Sequence, residues 1–166
     1  MDLGFRSPRQ AVNTFQVALA GDLPDLEYRC LSSAFKQRER LNQLAYREFR
    51  EELLRAQPYL ARFAGAELVE ERELAPGTAL VVARIDAWWS TVEVEVRLVR
   101  EDFWELWSAD RRLLDDATEL SRILEPRPGS LAAVLPLPAG FDAAAVTELR
   151  AGSEWKIDDF RERPDD

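Results

Sequence analysis

The chain has 166 residues, 46% hydrophobic and 32% charged, so it can offset the entropy of folding by burying one core. Its formal net charge of −9 repels phosphate backbones and anionic lipid surfaces, which argues against nucleic-acid and membrane partners. The absence of histidine excludes Ser-His-Asp triads and imidazole-ligated metals. Cys30 is the single cysteine, which excludes an intrachain disulfide and a multi-cysteine zinc site. We therefore expect no metal and no cofactor.

The expected location is cytoplasmic. No apolar segment of signal-peptide length follows Met1, so nothing in the sequence marks export. The longest apolar stretches are too short, or too often broken by proline or charge, to span a bilayer.

The first predicted helix begins at Ser7, which serves as N-cap and is followed by Pro8 at the first helical position. Gln10 stands three residues after Ser7, the spacing that closes a capping box. Gly21 is predicted to supply the left-handed residue that ends the helix. The apolar positions that recur at helical spacing are Val12, Phe15 and Leu19.

Two more helical segments follow before the pattern changes. A short helix begins at Pro24, and residues 32–33 allow a break and a new cap. The third helical stretch is the longest, with Arg50 among the residues on its polar side, and Pro58 ends or kinks it. Gly65 closes the helical half. The apolar face of the third stretch is formed by Leu41, Ala45, Phe49 and Leu53.

From residue 66 the apolar period changes from about 3.6 to about 2, which indicates strands. Residues 67–74 and 78–89 flank a Pro-Gly turn at 76–77 as a hairpin. Residues 91–98 alternate cleanly, and 103–107 are predicted to form a separate strand. The residues expected to share one face of the 91–98 strand are Val92, Val94, Val96 and Leu98.

The last third of the chain is less regular. Residues 109–143 fit neither period and are predicted to be an insertion. Within them the apolar strip 131–138 is interpreted as a cover for its own core, a flap or a docking strip. Residues 146–150 and 154–160 are predicted to form a closing hairpin, with a helix over 142–150 as the competing interpretation.

The order of these elements resembles the NTF2-like superfamily, also called the ketosteroid isomerase-like or cystatin-like fold. The resemblance depends on residues 7–12 with Phe15, on Gly21-Asp22, on the 91–98 strand and on the ending 154–160. It implies an α+β fold in which N-terminal helices pack on a curved, mainly antiparallel sheet. It also implies a conical cavity suited to a small apolar or amphipathic molecule. The length of the chain predicts one domain over residues 1–166, and the insertion at 109–143 departs from the compact pattern of the family.

Aromatic side chains are the first candidate site. The predicted ligand-binding residues are Tyr28, Tyr46, Trp89, Trp104 and Trp107. A filled aromatic core is the alternative explanation for the same residues. On this basis the expected function is that of a non-catalytic domain binding a small apolar ligand or a protein partner in or over its cone.

An enzyme is the alternative hypothesis: a cofactor-independent isomerase or cyclase that uses Asp or Glu with Tyr as acid and base groups. The strand carboxylates of Asp86, Glu105 and Asp158 are candidates if they face inward. Their alternation also fits a solvated outer face. No residue is therefore assigned as catalytic.

The outer sheet face is the third candidate. Arg84 and Asp86 share it with Leu80, Val82 and Trp88, so the sequence fits either an ion-paired, solvated face or contact with a second subunit. The expected partner is a second copy of the chain, forming a homodimer through this face.

Overall fold

The computed structural model describes residues 3–56, 58–86, 90–107, 144 and 147–163, without the side chains of 103–107 and 148–151. In these residues the fold is α+β, with helices first and an open, four-stranded antiparallel sheet after them, as predicted. The predicted insertion at 109–143, with its strip 131–138, lies outside the described residues.

The helices of the described chain are α1 (Pro8–Ala20), α2 (Pro24–Cys30), α3 (Ser33–Arg38), α4 (Gln43–Ala56) and a 3-10 helix (Pro58–Gly65). The strands are β1 (Glu67–Ala75), β2 (Thr78–Asp86), β3 (Thr91–Trp107) and β4 (Glu148–Glu162). Their order in the sheet is β1-β2-β3-β4.

The chain divides into two compact units, one of Met1–Glu101 with Trp155–Asp166 and one of Asp102–Glu154. The first unit holds the helices of the described residues, β1, β2, most of β3 and the end of β4. Every site described below lies in this first unit. That the chain is a single domain stays a prediction.

The observed ends of α1 agree only in part with the ends predicted from the sequence. The Ser7 hydroxyl accepts a hydrogen bond from the Gln10 backbone N–H at 3.2 Å, as expected of the N-cap. The Gln10 side chain accepts a hydrogen bond from the Arg6 N–H at 3.1 Å, one residue before the N-cap whose N–H a capping box would engage. At the other end Gly21 has φ −86°, and the left-handed residue is Asp22 with φ 53°. Asp tolerates this region because its short polar side chain bonds locally.

The third helical stretch was predicted as one element, and the structure divides it into α3 and α4. Arg40 lies between them in the left-handed region with φ 55°. Asn42 then starts α4, because its Oδ1 accepts from the N–H groups of Leu44 at 3.0 Å and Ala45 at 2.8 Å. A side chain that satisfies these free donors favours a new helix start over a continuous helix.

The register of the sheet confirms the face assigned to the 91–98 strand. β2 and β3 pair without a shift from Thr78 opposite Val99 to Asp86 opposite Thr91. Gly77 makes the predicted turn between β1 and β2 with φ 76°, a conformation that favours glycine. The buried core residues of β3 are Val94, Val96 and Leu98, and Val92 packs against them.

Two strand predictions were wrong. Residues 103–107 are not a separate strand, because β3 runs on through the charged residues 100–102. Charged side chains do not interrupt a ladder of backbone bonds, and the Arg100 N–H donates to the Gly77 carbonyl at 2.8 Å. The closing hairpin with a turn at 151–153 is likewise one strand, β4, which also excludes the competing helix over 148–150. Local turn signals at Gly152 were overridden by pairing in the sheet.

The core joins α1 to the 3-10 helix and the sheet. The rings of Phe15, Phe63 and Phe160 contact one another with centroids 5.4 to 6.1 Å apart. The buried Gln16 side chain donates to the carbonyls of Phe63 at 3.0 Å and Ala66 at 2.9 Å. These bonds satisfy carbonyls at the end of the 3-10 helix and fix α1 against it.

Candidate functional site

A small apolar cavity lies between the helices and the end of β4. It measures about 20 Å³, room for about one water-sized group, and is partly open to solvent. Its apolar lining comes from Phe15, Leu19, Leu53, Leu54, Leu60 and Phe160, and its polar lining from Glu27, Tyr46 and Arg50.

The three polar residues bond to one another. Glu27 is fully buried, and its Oε2 accepts from the Tyr46 hydroxyl at 2.8 Å. The Arg50 Nε donates to both carboxylate oxygens of Glu27, at 2.8 and 3.0 Å. Arg50 also reaches the exposed Asp22 carboxylate with its Nη2, at 3.0 Å. The Glu27 charge is thereby paired and hydrogen-bonded, as a buried carboxylate requires.

The helical repeat explains how these residues meet. Tyr46 and Arg50 stand four residues apart on α4 and therefore share a face, which lies against Glu27 on α2. The sequence prediction put Arg50 on the polar side of its helix, and this was wrong: only 16% of its side chain is exposed. The sequence did contain one signal for this contact. Tyr46 and Arg50 are four residues apart, a spacing that places the arginine one helical turn from the tyrosine on the same face of α4.

The electrostatics of the cluster favour a protonated tyrosine. Burial raises the pKa of Tyr46, and the charge of Glu27 and the hydrogen bond to it raise that pKa further. Burial lowers the pKa of Arg50, but the hydrogen bond and charge of Glu27 outweigh it and raise that pKa. In this arrangement the Tyr46 hydroxyl uses its single proton in the hydrogen bond to Glu27. The cluster can hold two helices together, and neither the hydroxyl nor the carboxylate is aimed at the cavity without a partner.

The structure brings two of the five predicted ligand-binding residues together. The rings of Tyr28 and Tyr46 have centroids 5.8 Å apart, but only Tyr46 lines the cavity. The Tyr28 ring instead lies under the Lys36 ammonium, 4.1 Å from Nζ. Trp89 lies outside the described residues, and Trp104 and Trp107 belong to β3 without described side chains.

The strand carboxylates proposed as acid or base groups do not line the cavity where they are described. Asp86 is exposed at the end of β2 and accepts from the Thr91 hydroxyl at 3.4 Å. Asp158 accepts from the Ser32 hydroxyl at 2.7 Å. The side chain of Glu105 lies outside the described residues. The sequence missed Glu27, the carboxylate that does lie at the cavity, because a single glutamate on a seven-residue helix forms no pattern that predicts burial.

The outer sheet face carries a network of ion pairs. Arg163 on this face reaches Glu93 at 3.1 Å, and Glu70 and Glu95 at 3.5 Å. Arg84 also pairs with Glu93, at 3.1 Å. In the register Val82 of β2 stands between Glu70 of β1 and Glu95 of β3. Arg163 contacts both carboxylates and so spans Val82, which is fully buried. Trp88, predicted to share this face, lies outside the described residues.

Cys30 is buried, and its thiol is poorly reactive. Its Sγ donates to the Leu26 carbonyl at 3.1 Å, and burial raises the pKa of its thiol to about 12. Because the thiolate is the reactive form, this position does not suit a nucleophile.

Within the described ranges, no group of three or more Cys, Asp or Glu side chains is arranged to hold a metal ion. No helix of the described chain has the length and apolar character needed to cross a membrane. Comparison of the chain with protein-family models, with curated proteins and with solved structures found no match.

Proposed function

We propose that the chain is a non-catalytic, NTF2-like binding domain that takes a small apolar ligand in the cavity between its helices and the end of β4. One observation carries this proposal: the cavity has an apolar wall, and its polar groups are already hydrogen-bonded to one another. Such a surface offers a ligand apolar contact and no reactive group. The helices-then-sheet order supports the family assignment as part of the proposal.

The size of the cavity sets how binding would proceed. About 20 Å³ is less than a benzene-sized ligand needs, so side chains of the lining must move to admit one. Leu53 and Leu54 are the best candidates, because both are half-buried on α4 at the partly open cavity. Displacing them costs packing free energy, so we expect weak binding, with a Kd of about 1 mM for a ligand of this size.

Toluene is a suitable first probe, followed by amide chemical shifts in solution. We expect saturable shifts around Leu19 and Leu60 and none on the outer sheet face. Leu53→Trp fills the mouth of the cavity and should abolish these shifts. Leu44→Trp is the matched control, because Leu44 lies on the same helix and is 80% exposed. Full toluene binding by Leu53→Trp would overturn the proposal.

A cofactor-independent isomerase or cyclase is the second candidate. The observation in its favour is a buried carboxylate, Glu27, bonded to Tyr46 at an apolar cavity. Against it, both carboxylate oxygens of Glu27 already accept hydrogen bonds, from the Arg50 Nε and the Tyr46 hydroxyl, so neither oxygen faces the cavity without a donor.

Exchange of α-deuterium from a cyclic ketone into water separates these two candidates. The binding domain should not accelerate exchange above the buffer rate. Acceleration that Glu27→Gln abolishes, in a variant that still folds, would favour the enzyme.

We also propose a homodimer through the outer sheet face and a cytoplasmic location. Arginine and glutamate alternate across the strands of this face. A two-fold axis can therefore place the arginines of one copy opposite the glutamates of the other. Leu80 and Val82 are already buried within the chain, so the contact would be mainly electrostatic. Sedimentation should therefore show a dimer that dissociates as salt rises, and a monomer at every concentration and salt would contradict it.

A further inference from the structure

A second pocket lies on the outer face of the sheet, on the opposite side from the core. Its volume is about 150 Å³, and Leu80 of β2 forms its floor. Arg72 of β1 and Arg97 of β3 stand directly opposite Leu80 in the two registers, one on each side. Leu74 adds an apolar wall. This pocket is separate from the cavity between the helices and shares no lining residue with it.

The register explains why a pocket forms at this point. Neighbouring strands are about 4.8 Å apart, so Arg72 and Arg97 start about 10 Å from each other. The leucine between them is much shorter than either arginine, which leaves space above its side chain. One row further along the face, Val82 is covered by the bridge from Arg163 to Glu70 and Glu95. No such bridge is found over Leu80 among the described residues.

The charges of the pocket are not balanced. Its lining includes three arginines, Arg72, Arg97 and Arg161, and two carboxylates, Glu95 and Asp159. Asp159 pairs with Arg161 at 2.8 Å and Glu95 with Arg163 at 3.5 Å, so both carboxylates already have a cation.

Two of the three arginines are also paired. Arg161 has Asp159, and Arg72 pairs with Glu70 at 3.4 Å. Arg97 is exposed and has no hydrogen-bond or ion-pair partner in the described part of the chain. Among the three arginines of this lining, Arg97 is therefore the one whose whole guanidinium is without a protein partner in the described residues.

We propose that this outer-face pocket binds a small monocarboxylate with an apolar body, whose carboxylate pairs with Arg97 while its body lies on Leu80 and Leu74. A guanidinium presents two parallel N–H groups that match a carboxylate. The excess of one positive charge suits a single negative charge, whereas Glu95 and Asp159 would repel a phosphate dianion. A cavity of about 150 Å³ holds a benzene-sized group, which sets the size of the body.

Benzoate is the probe that combines these features, and benzamide is its uncharged isostere. The titration follows amide shifts of the full chain at a concentration where sedimentation shows a monomer. We expect saturable shifts at residues 72–74, 80 and 97, with benzamide binding at least about tenfold more weakly, the range of a charge-assisted hydrogen bond.

Arg97→Gln should lower benzoate affinity by about tenfold or more. Arg100→Gln is the matched control, because Arg100 lies on the same strand, is exposed and is not part of the pocket, and it should leave the affinity unchanged. Leu53→Trp should also leave it unchanged, since that residue lines the other cavity. Equal weakening by Arg97→Gln and Arg100→Gln, equal binding of benzamide, or no saturable benzoate shifts would overturn the proposal.

Discussion

The Tyr46 hydroxyl donates to the Glu27 carboxylate at 2.8 Å, and so links α4 to α2 through a buried hydrogen bond. Arg50 completes the link from one turn further along α4. Glu27 is fully buried, so its charge depends on these two donors for the solvation it lost on folding. The stability of the helical half therefore depends on a polar cluster inside an apolar core.

Replacing Glu27 with alanine should lower the free energy of unfolding by about 3–5 kcal/mol. The change leaves the Tyr46 hydroxyl without its acceptor and removes the main partner of Arg50, a side chain that is only 16% exposed. Urea unfolding followed by circular dichroism measures the loss.

Asp25→Ala is the control for that change. Asp25 also pairs with an arginine of α4, Arg47 at 3.5 Å, but the two side chains are 65% and 59% exposed. Its removal should cost less than about 1 kcal/mol. Equal losses in the two variants would show that burial does not strengthen the Glu27 cluster.

Tyr46 should make the protein less stable at alkaline pH. Its pKa is raised in the folded state, so above the ordinary tyrosine pKa of about 10 the folded chain holds a proton that the unfolded chain releases. The stabilisation is complete below that pH and decreases above it by up to about 1.4 kcal/mol per pH unit.

Tyr46→Phe tests this dependence by removing the titrating group. Burial also raises the pKa values of Cys30 and of Tyr59, the latter helped by the charge of Glu162, so the variant should keep a shallower decrease from these two groups. The measurement is the urea midpoint of unfolding, taken in steps from pH 9 to 11 for the unchanged chain and for Tyr46→Phe. An unchanged slope in the variant would rule out Tyr46 as the source.

Cys30 should resist thiol reagents in the folded protein. Its pKa moves from 9.0 to about 12, which is three pH units and makes the thiolate about a thousand-fold rarer. A disulfide reagent such as dithiobisnitrobenzoate should label the chain slowly at pH 8 and rapidly in urea. Because Cys30 is the only cysteine, the colour released reports this thiol alone.

A surface cysteine provides the comparison for that experiment. Ala34 is exposed on α3, so Ala34→Cys combined with Cys30→Ala should react at the rate of an open thiol. Native labelling of Cys30 at the same rate would contradict its burial.

The change of period near residue 65 was enough to predict the α+β fold and the inward face of β3. Both follow from local alternation, which a sheet with one buried face preserves along its strands. Strand ends were less predictable: Gly152 and the charged residues 100–102 carry turn signals, yet β4 and β3 continue through them, because a strand is held by pairing with its neighbours. Such pairing depends on residues far away in sequence.

The polar cluster at the cavity was the part that sequence patterns predicted least. Arg50 belongs to a charged run and Glu27 is a charged residue on a short helix, and sequence patterns place such residues in solvent. Their burial depends on α2 meeting α4 across the core, a tertiary contact without a local signal. Tyr46 was predicted as a site residue, and the structure gives it a partner in Glu27.

The ion pairs of the outer face make the Glu93 carboxyl a sensitive probe. Hydrogen bonds from Arg84 and Arg163 lower its pKa. Arg84→Gln removes one of these donors and should move that pKa up towards its ordinary value. Carboxyl carbon shifts followed against pH measure the change directly.

The sign of the stability effect follows from the lowered pKa. Glu93 contributes stability above the pKa it has in the unfolded chain, and this contribution is lost as the pH falls through its lower folded value. Added salt should weaken the effect, because the group is not shielded from solvent. Arg72→Gln is the control, since Arg72 pairs with Glu70 and not with Glu93. If both variants raise the pKa of Glu93 equally, the shift comes from the general charge of the face and not from the contact with Arg84.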